Sequence, residues 1–176
     1  MSAGKRKKTS FLERIGIKAK PVPTDEDVQR DKRYDTYKEI WKYLRDRIDV
    51  GVRHYFQTGS LEQLEQHVNR PALDSLGEHL EKLRAAGVVL VAPENRLEAT
   101  RPRLRVISEQ LSDKGKPQRF VIEERFADHS ELKAMGNASK QATGKERVIH
   151  ATVDIEGQQQ YALASVIRVD EATLGD

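Results

Sequence analysis

The chain has 176 residues, is 37% apolar and carries a formal charge of +3, which suits one domain of about 100–150 residues with an appendage. It contains no cysteine, so disulfides, thiolate catalysis and cysteine-ligated zinc are excluded. No apolar run approaches the roughly 18–20 residues of a membrane-spanning helix, and the N-terminus lacks the apolar region of a secretory signal.

The charge is unevenly placed. Met1 to Lys20 holds Lys5, Arg6, Lys7, Lys8, Arg14, Lys18 and Lys20 against Glu13 alone, a net +6 that leaves −3 for the remainder. This stretch has no sustained period, one small apolar cluster (Phe11, Leu12, Ile15 and Ile17) and a break at Pro21 and Pro23. Residues 1–24 are therefore expected to be a disordered or extended basic tail and proline linker. Its seven cations are the candidate anion-binding residues, because a basic extension neutralises phosphates without a fold of its own. RNA or DNA is the expected partner, ahead of an anionic membrane surface.

Residues 25–172 are expected to form one domain, with 173–176 a short C-terminal end. Thr24 precedes Asp25, Glu26 and Asp27, an N-cap with acids in the first turn. Tyr34, Tyr37, Trp41, Leu44, Ile48, Val52 and Tyr55 then recur at helical spacing, which predicts a long amphipathic helix with a bend at Gly51. Ser60 and Gln63 form a capping-box pattern before Leu61, Leu64 and Val68. A third helix is predicted with Asn69 as cap, Pro71 in its first turn, a ridge of Leu73, Leu76, Leu80 and Leu83, and Gly87 as terminator.

After Gly87 the period changes from 3.6 to 2. Val88–Ala92 reads as a short buried strand. Longer strands are predicted over Arg101–Ser112, Gln118–Leu132, Glu146–Gly157 and Gln158–Asp170, with turns at Asp113–Pro117 and Glu156–Gln158. Phe120, Ile122, Glu124 and Phe126 share one face of their strand, and Tyr161, Leu163, Ser165, Ile167 and Val169 form one face of the last. Helices followed by a meander give the class α+β, about three helices packed on a curved four-stranded antiparallel sheet. Trp41, Leu44, Leu76, Leu80, Phe120, Ile122 and Ile167 are the expected core.

Signals of chemistry are weak. Gly136–Lys145 has seven residues between its glycines and Glu146 after the lysine, so it fails as a phosphate loop and reads as a long hairpin loop. His54, His67, His79, His129 and His150 show no metal-ligand spacing. Asp128, His129 and Ser130 are consecutive, and strand neighbours on alternate faces cannot form a relay. Glu123 and Glu124, with Glu109, offer a carboxylate pair, but cross-strand pairing with Arg103, Arg105, Arg125 and Arg147 is the stronger reading. No catalytic residue, metal site or cofactor is expected. Lys133, Lys140, Lys145 and Arg147, around one hairpin loop, form a candidate second basic surface, and Lys114, Lys116 and Arg119 lie near another turn.

HYFQTGSLEQLEQHVNRPALDSLGEHLEKLRAAG followed by strands resembles the cone-shaped α+β superfamily named after nuclear transport factor two. In texture it is similar to the C-terminal domain of the matrix-side tether of the mitochondrial import motor. The resemblance covers roughly Tyr34 to Asp170 and implies a binding or scaffold module. The expectation is a non-enzymatic adaptor that binds a protein partner through its domain and an anionic surface through its tail. The alternatives are a small-molecule-binding or enzymatic cone, or a structural part of a ribonucleoprotein or phage particle. A cytoplasmic location is expected, with the mitochondrial matrix as the alternative.

Overall fold

The computed structural model describes residues 21–91, 96, 100–134, 139–141 (backbone alone) and 144–169. The seven tail cations, Lys5 through Lys20, lie outside the described residues. The chain divides into two compact units, Met1–Arg33 and Tyr34–Asp176. In the first, α1 (Asp25–Thr58) begins with a reciprocal capping box. The Thr24 amide donates to Asp27 Oδ2 at 3.0 Å, and the Asp27 amide donates to Thr24 Oγ1 at 3.1 Å.

In the second unit the apolar stripe of α1 is buried as Tyr37, Ile40, Trp41, Leu44, Ile48, Val52 and Tyr55. The helix runs without a break through Gly51. A Cβ there would stand 2.7 Å from Leu64 Cδ2, so glycine serves close packing rather than a bend. Leu64 belongs to α2 (Glu62–Glu65), a single turn whose Glu62 amide donates to Ser60 Oγ at 3.2 Å. α3 (Ala72–Ala85) is preceded by Pro71, with no side-chain cap. Asn69, expected as its cap, instead donates to Glu156 Oε1 at 2.9 Å across to the sheet.

The strands are β1 (Val88–Val91), β2 (Arg103–Leu111), β3 (Pro117–Ala127), β4 (Glu131–Ala134), β5 (Ser139–Gln141), β6 (Glu146–Gly157) and β7 (Gln160–Arg168). The fold is α+β. β2-β3-β6-β7 form a four-stranded antiparallel sheet, and β1-β4-β5 form a second, three-stranded antiparallel one. The second sheet departs from the single-sheet expectation. The stretch expected as one strand over Gln118–Leu132 breaks where the Asp128 carboxylate accepts from the amide and hydroxyl of Ser130, at 3.0 and 2.6 Å. Such a local bond competes with the strand ladder. β4 then turns away to pair with β1, and β5 falls inside the expected loop.

Trp41, Leu44, Leu80, Phe120 and Ile122 are buried as expected, while Leu76 packs against the core half-exposed. Ile167 does not; it is 62% exposed. Val153 pairs with Leu163 but Thr152 pairs with Ser165, so Ala164 is an extra residue. The extra residue shifts the alternation by one and sends Ile167 to the outer face beside His150. Ile107 is likewise the extra residue between the Val106–Ile122 and Ser108–Val121 pairs, and it too is exposed.

Tyr37 stacks on Phe120, with ring centroids 4.5 Å apart, and donates its hydroxyl to Glu109 at 2.7 Å. With Trp41, these contacts seat α1 on the sheet. Trp41→Ala removes a fully buried indole and should lower unfolding free energy by about 3–5 kcal/mol in chemical denaturation. A loss below about 1 kcal/mol would place Trp41 outside the core.

Candidate functional site

The outer sheet face is built from residues that alternate with the core. Glu123 lies between Arg105 on β2 and His150 on β6 in register. It accepts from Arg105 Nη2 at 3.2 Å, from Arg125 Nε at 3.1 Å and from His150 Nε2 at 3.1 Å. Burial opposes its ionisation, but the bonds from His150, Arg125 and Arg105 outweigh burial and bring the carboxyl down to about 2. Arg103 stands directly opposite Arg125, and Glu146 lies 3.7 Å from each. Arg119 donates to Asp154 at 2.6 Å. Across this face the cations are largely neutralised, and Ile167 extends the Arg105–Glu123–His150 row as an aliphatic end.

The inner face carries a second carboxylate. Glu124 is 1% exposed and accepts from Trp41 Nε1 at 2.9 Å, with Arg45 Nε 3.3 Å away. One turn along α1, Asp49 takes two bonds from Arg96, at 2.6 and 2.9 Å. Both guanidiniums lie over the Phe126 ring, Arg45 at 5.5 Å and Arg96 at 6.0 Å. Arg147 Nε lies 3.6 Å from Asp128. Burial pushes the Asp128 carboxyl up, but the bonds from Ser130 and the Arg147 charge prevail and hold it below its ordinary value.

Glu123 and Glu124 therefore point to opposite faces, each held by its own cations, and do not form a catalytic pair. Glu109 is taken by Tyr37. Asp128 binds Ser130 directly, while the His129 ring packs near Gly144. Among the described residues, no group of three or more His, Asp or Glu side chains gathers as a metal site.

Of the second basic surface, Lys133 is exposed and 3.7 Å from Glu131, and Lys145 is exposed. Arg147 is 21% exposed and ion-paired, so it faces inward from that loop. The Lys140 side chain lies outside the described residues. Sequence reasoning missed Arg45, Asp49 and Arg96. Arg45 and Asp49 follow Trp41 at steps of four residues, so charges one turn apart beside an aromatic stripe were the available signal.

No family model and no curated protein matches the chain. Among solved structures it is similar to the intermembrane space region of chloroplast protein ARC6, at 14% identity, with a TM-score of 0.50. The match covers 77% of this chain and 95% of that one. The likeness is one of fold.

The lowered Glu123 carboxyl makes stability depend on pH. Its folded value lies below the ordinary 4.5, so the unfolded chain binds the proton first as pH falls. The stabilisation is present above about pH 4.5 and is lost as pH falls toward 2. In acid titrations of unfolding free energy, Glu123→Gln should flatten the curve in that window. An unchanged slope would show that Glu123 is not held by these cations.

Proposed function

We propose that this chain is a non-enzymatic adaptor whose α+β domain binds a protein partner and whose residues Lys5, Arg6, Lys7, Lys8, Arg14, Lys18 and Lys20 bind an anionic polymer. The observation that carries the reading is Ile167, 62% exposed on the outer face of edge strand β7. Exposed aliphatics on an edge strand are a liability unless a partner covers them. The interior acids support the same reading, since Glu124, Asp49 and Asp128 are each engaged by a neighbouring donor or cation. Helices followed by an antiparallel meander also support membership of the nuclear transport factor two superfamily, as part of this proposal. Nucleic acid is the preferred anionic partner because seven cations with one acid suit a polyphosphate.

Two variants separate the two contacts. Ile167→Glu should abolish capture of a protein partner in a nuclease-treated pull-down while leaving the melting temperature within a few degrees, as expected for an exposed site. Deleting residues 1–20 should remove RNA-oligonucleotide binding. For about five phosphates contacted, log K of the intact chain should fall against log salt with a slope of roughly −3.5 to −4.5. A truncated chain that binds RNA as tightly as the intact one would end the tail assignment. Undiminished capture by Ile167→Glu would end the docking assignment.

A further inference from the structure

Strand β7 ends its sheet, with β6 on one side. Among the described residues, the pairing on its other edge is a parallel bridge between Leu163 and Val68. There the Leu163 amide donates to the His67 carbonyl and the Leu163 carbonyl accepts from the Asn69 amide, at 2.8 Å each. The chain then leaves that lane and enters α3.

Beyond Leu163 no described residue pairs with that edge. The Val169 amide donates to the Val148 carbonyl at 2.9 Å, so Val169 turns toward β6. Backbone groups alternate along an antiparallel strand, which turns the Val166 N–H and C=O away from β6. They therefore face the side on which Leu163 meets His67 and Asn69. The extra residue Ala164 puts Leu163 and Val166, three positions apart, on one edge.

The side chains suit the same use. Val166, on the inner face opposite Ala151, is 46% exposed, while Ile167 projects from the outer face opposite His150. A strand laid beside β7 covers both, one on each face, and also satisfies the Val166 backbone; a helix or a compact ligand does not do all three. On the inner side the lane opens into a cavity of about 480 Å³ between β7 and the Ala72–Leu76 turn of α3, with Trp41 and Ile48 in its wall. That space takes an aliphatic side chain of the added strand. No carboxylate lines it, and Arg168 follows Val166 on the same face and is exposed. An acidic side chain two residues beyond the aliphatic one therefore meets a cation.

We infer that β7 pairs with an extended segment of a protein partner, added as a further strand along Val166. The segment places an aliphatic side chain in the cavity beside Leu76 and an acidic one at Arg168. The inference rests on the docking reading above and names its mode, strand addition.

The probe is the acetylated and amidated peptide Lys-Thr-Ile-Val-Ile-Glu-Thr-Lys, which carries valine and glutamate on one face and the isoleucines on the other. It is titrated into the full chain at pH 7 while amide hydrogen exchange is followed residue by residue. Saturable binding is expected, with exchange at the Val166 amide slowed by about tenfold or more. Val166→Pro removes that outward N–H at an edge position where proline is tolerated. It should melt within a few degrees of the parent and bind the peptide about tenfold or more weakly, whereas Val166→Thr, which keeps the N–H and the β-branch, should stay within about threefold. Two N-methylated peptides, blocked at alternate amides, test the pairing on the unmodified chain. One should bind like the parent peptide and the other should not, because one edge of the added strand faces β7. Binding without slowed exchange at Val166, equal binding of both methylated peptides, or no saturable binding up to about 1 mM would each overturn the inference. A dimeric chain whose Val166 amide is already protected would assign the edge to a second copy and overturn it too. If Ile167→Glu abolishes partner capture while a folded Val166→Pro captures normally, the docking reading stands and strand addition falls.

Discussion

A carboxylate inside an apolar core must be paired, and the placement of Glu124 imposes that requirement on everything around it. It lies on the core face of β3 between Ile122 and Phe126, where α1 crosses the sheet. Trp41 supplies a hydrogen bond and Arg45 a charge, and both come from α1. The helix is thereby registered on the sheet by directional contacts as well as by packing. The same demand spreads outward. Arg45 and Arg96 share the Phe126 ring, Arg96 locks onto Asp49, and Asp128 turns the chain out of β3 while meeting Arg147. A polar network in which each carboxylate is engaged specifies one arrangement of its elements more sharply than aliphatic packing alone.

The helices were legible because their signal is local. The α1 stripe, the Thr24–Asp27 box and the leucine ridge of α3 each depend on residues within one or two turns. The face shared by Phe120, Ile122, Glu124 and Phe126 was legible for the same reason. Two kinds of feature were not. The bulges at Ile107 and Ala164 exist only in the pairing of one strand with another, so alternation read along β7 alone places Ile167 in the core when the ladder puts it outside. The partners of Glu124 lie some eighty residues away, 83 positions in the case of Trp41, and no local spacing marks such a pairing. The break at Asp128 was visible as residue types, but its effect, a second sheet joining β1 to β4 and β5, depends on where the chain goes next.

The two sheet faces divide the labour. On the inner face every described carboxylate is engaged, and what stays open is an apolar cavity bordered by Arg45. On the outer face the arginines are drawn into pairs with Glu123, Glu146 and Asp154, so that Ile167 is the feature with surface left to cover. This arrangement fits recognition by shape and apolar contact at the domain, with electrostatic attraction assigned to the basic N-terminal stretch. Under the proposed function the two contacts answer to different variables: ionic strength for the N-terminal stretch and apolar substitution for β7.

The central claim is that Glu124 is a paired carboxylate that seats α1 on the sheet. Chemical denaturation of Glu124→Gln tests it most directly, because glutamine keeps an acceptor for Trp41 but offers no charge to Arg45. The account predicts a loss of about 2–4 kcal/mol in the single variant, with part of it recovered in Arg45→Met/Glu124→Gln, where no buried cation is left alone. A single variant within about 0.5 kcal/mol of the unmodified chain would contradict it.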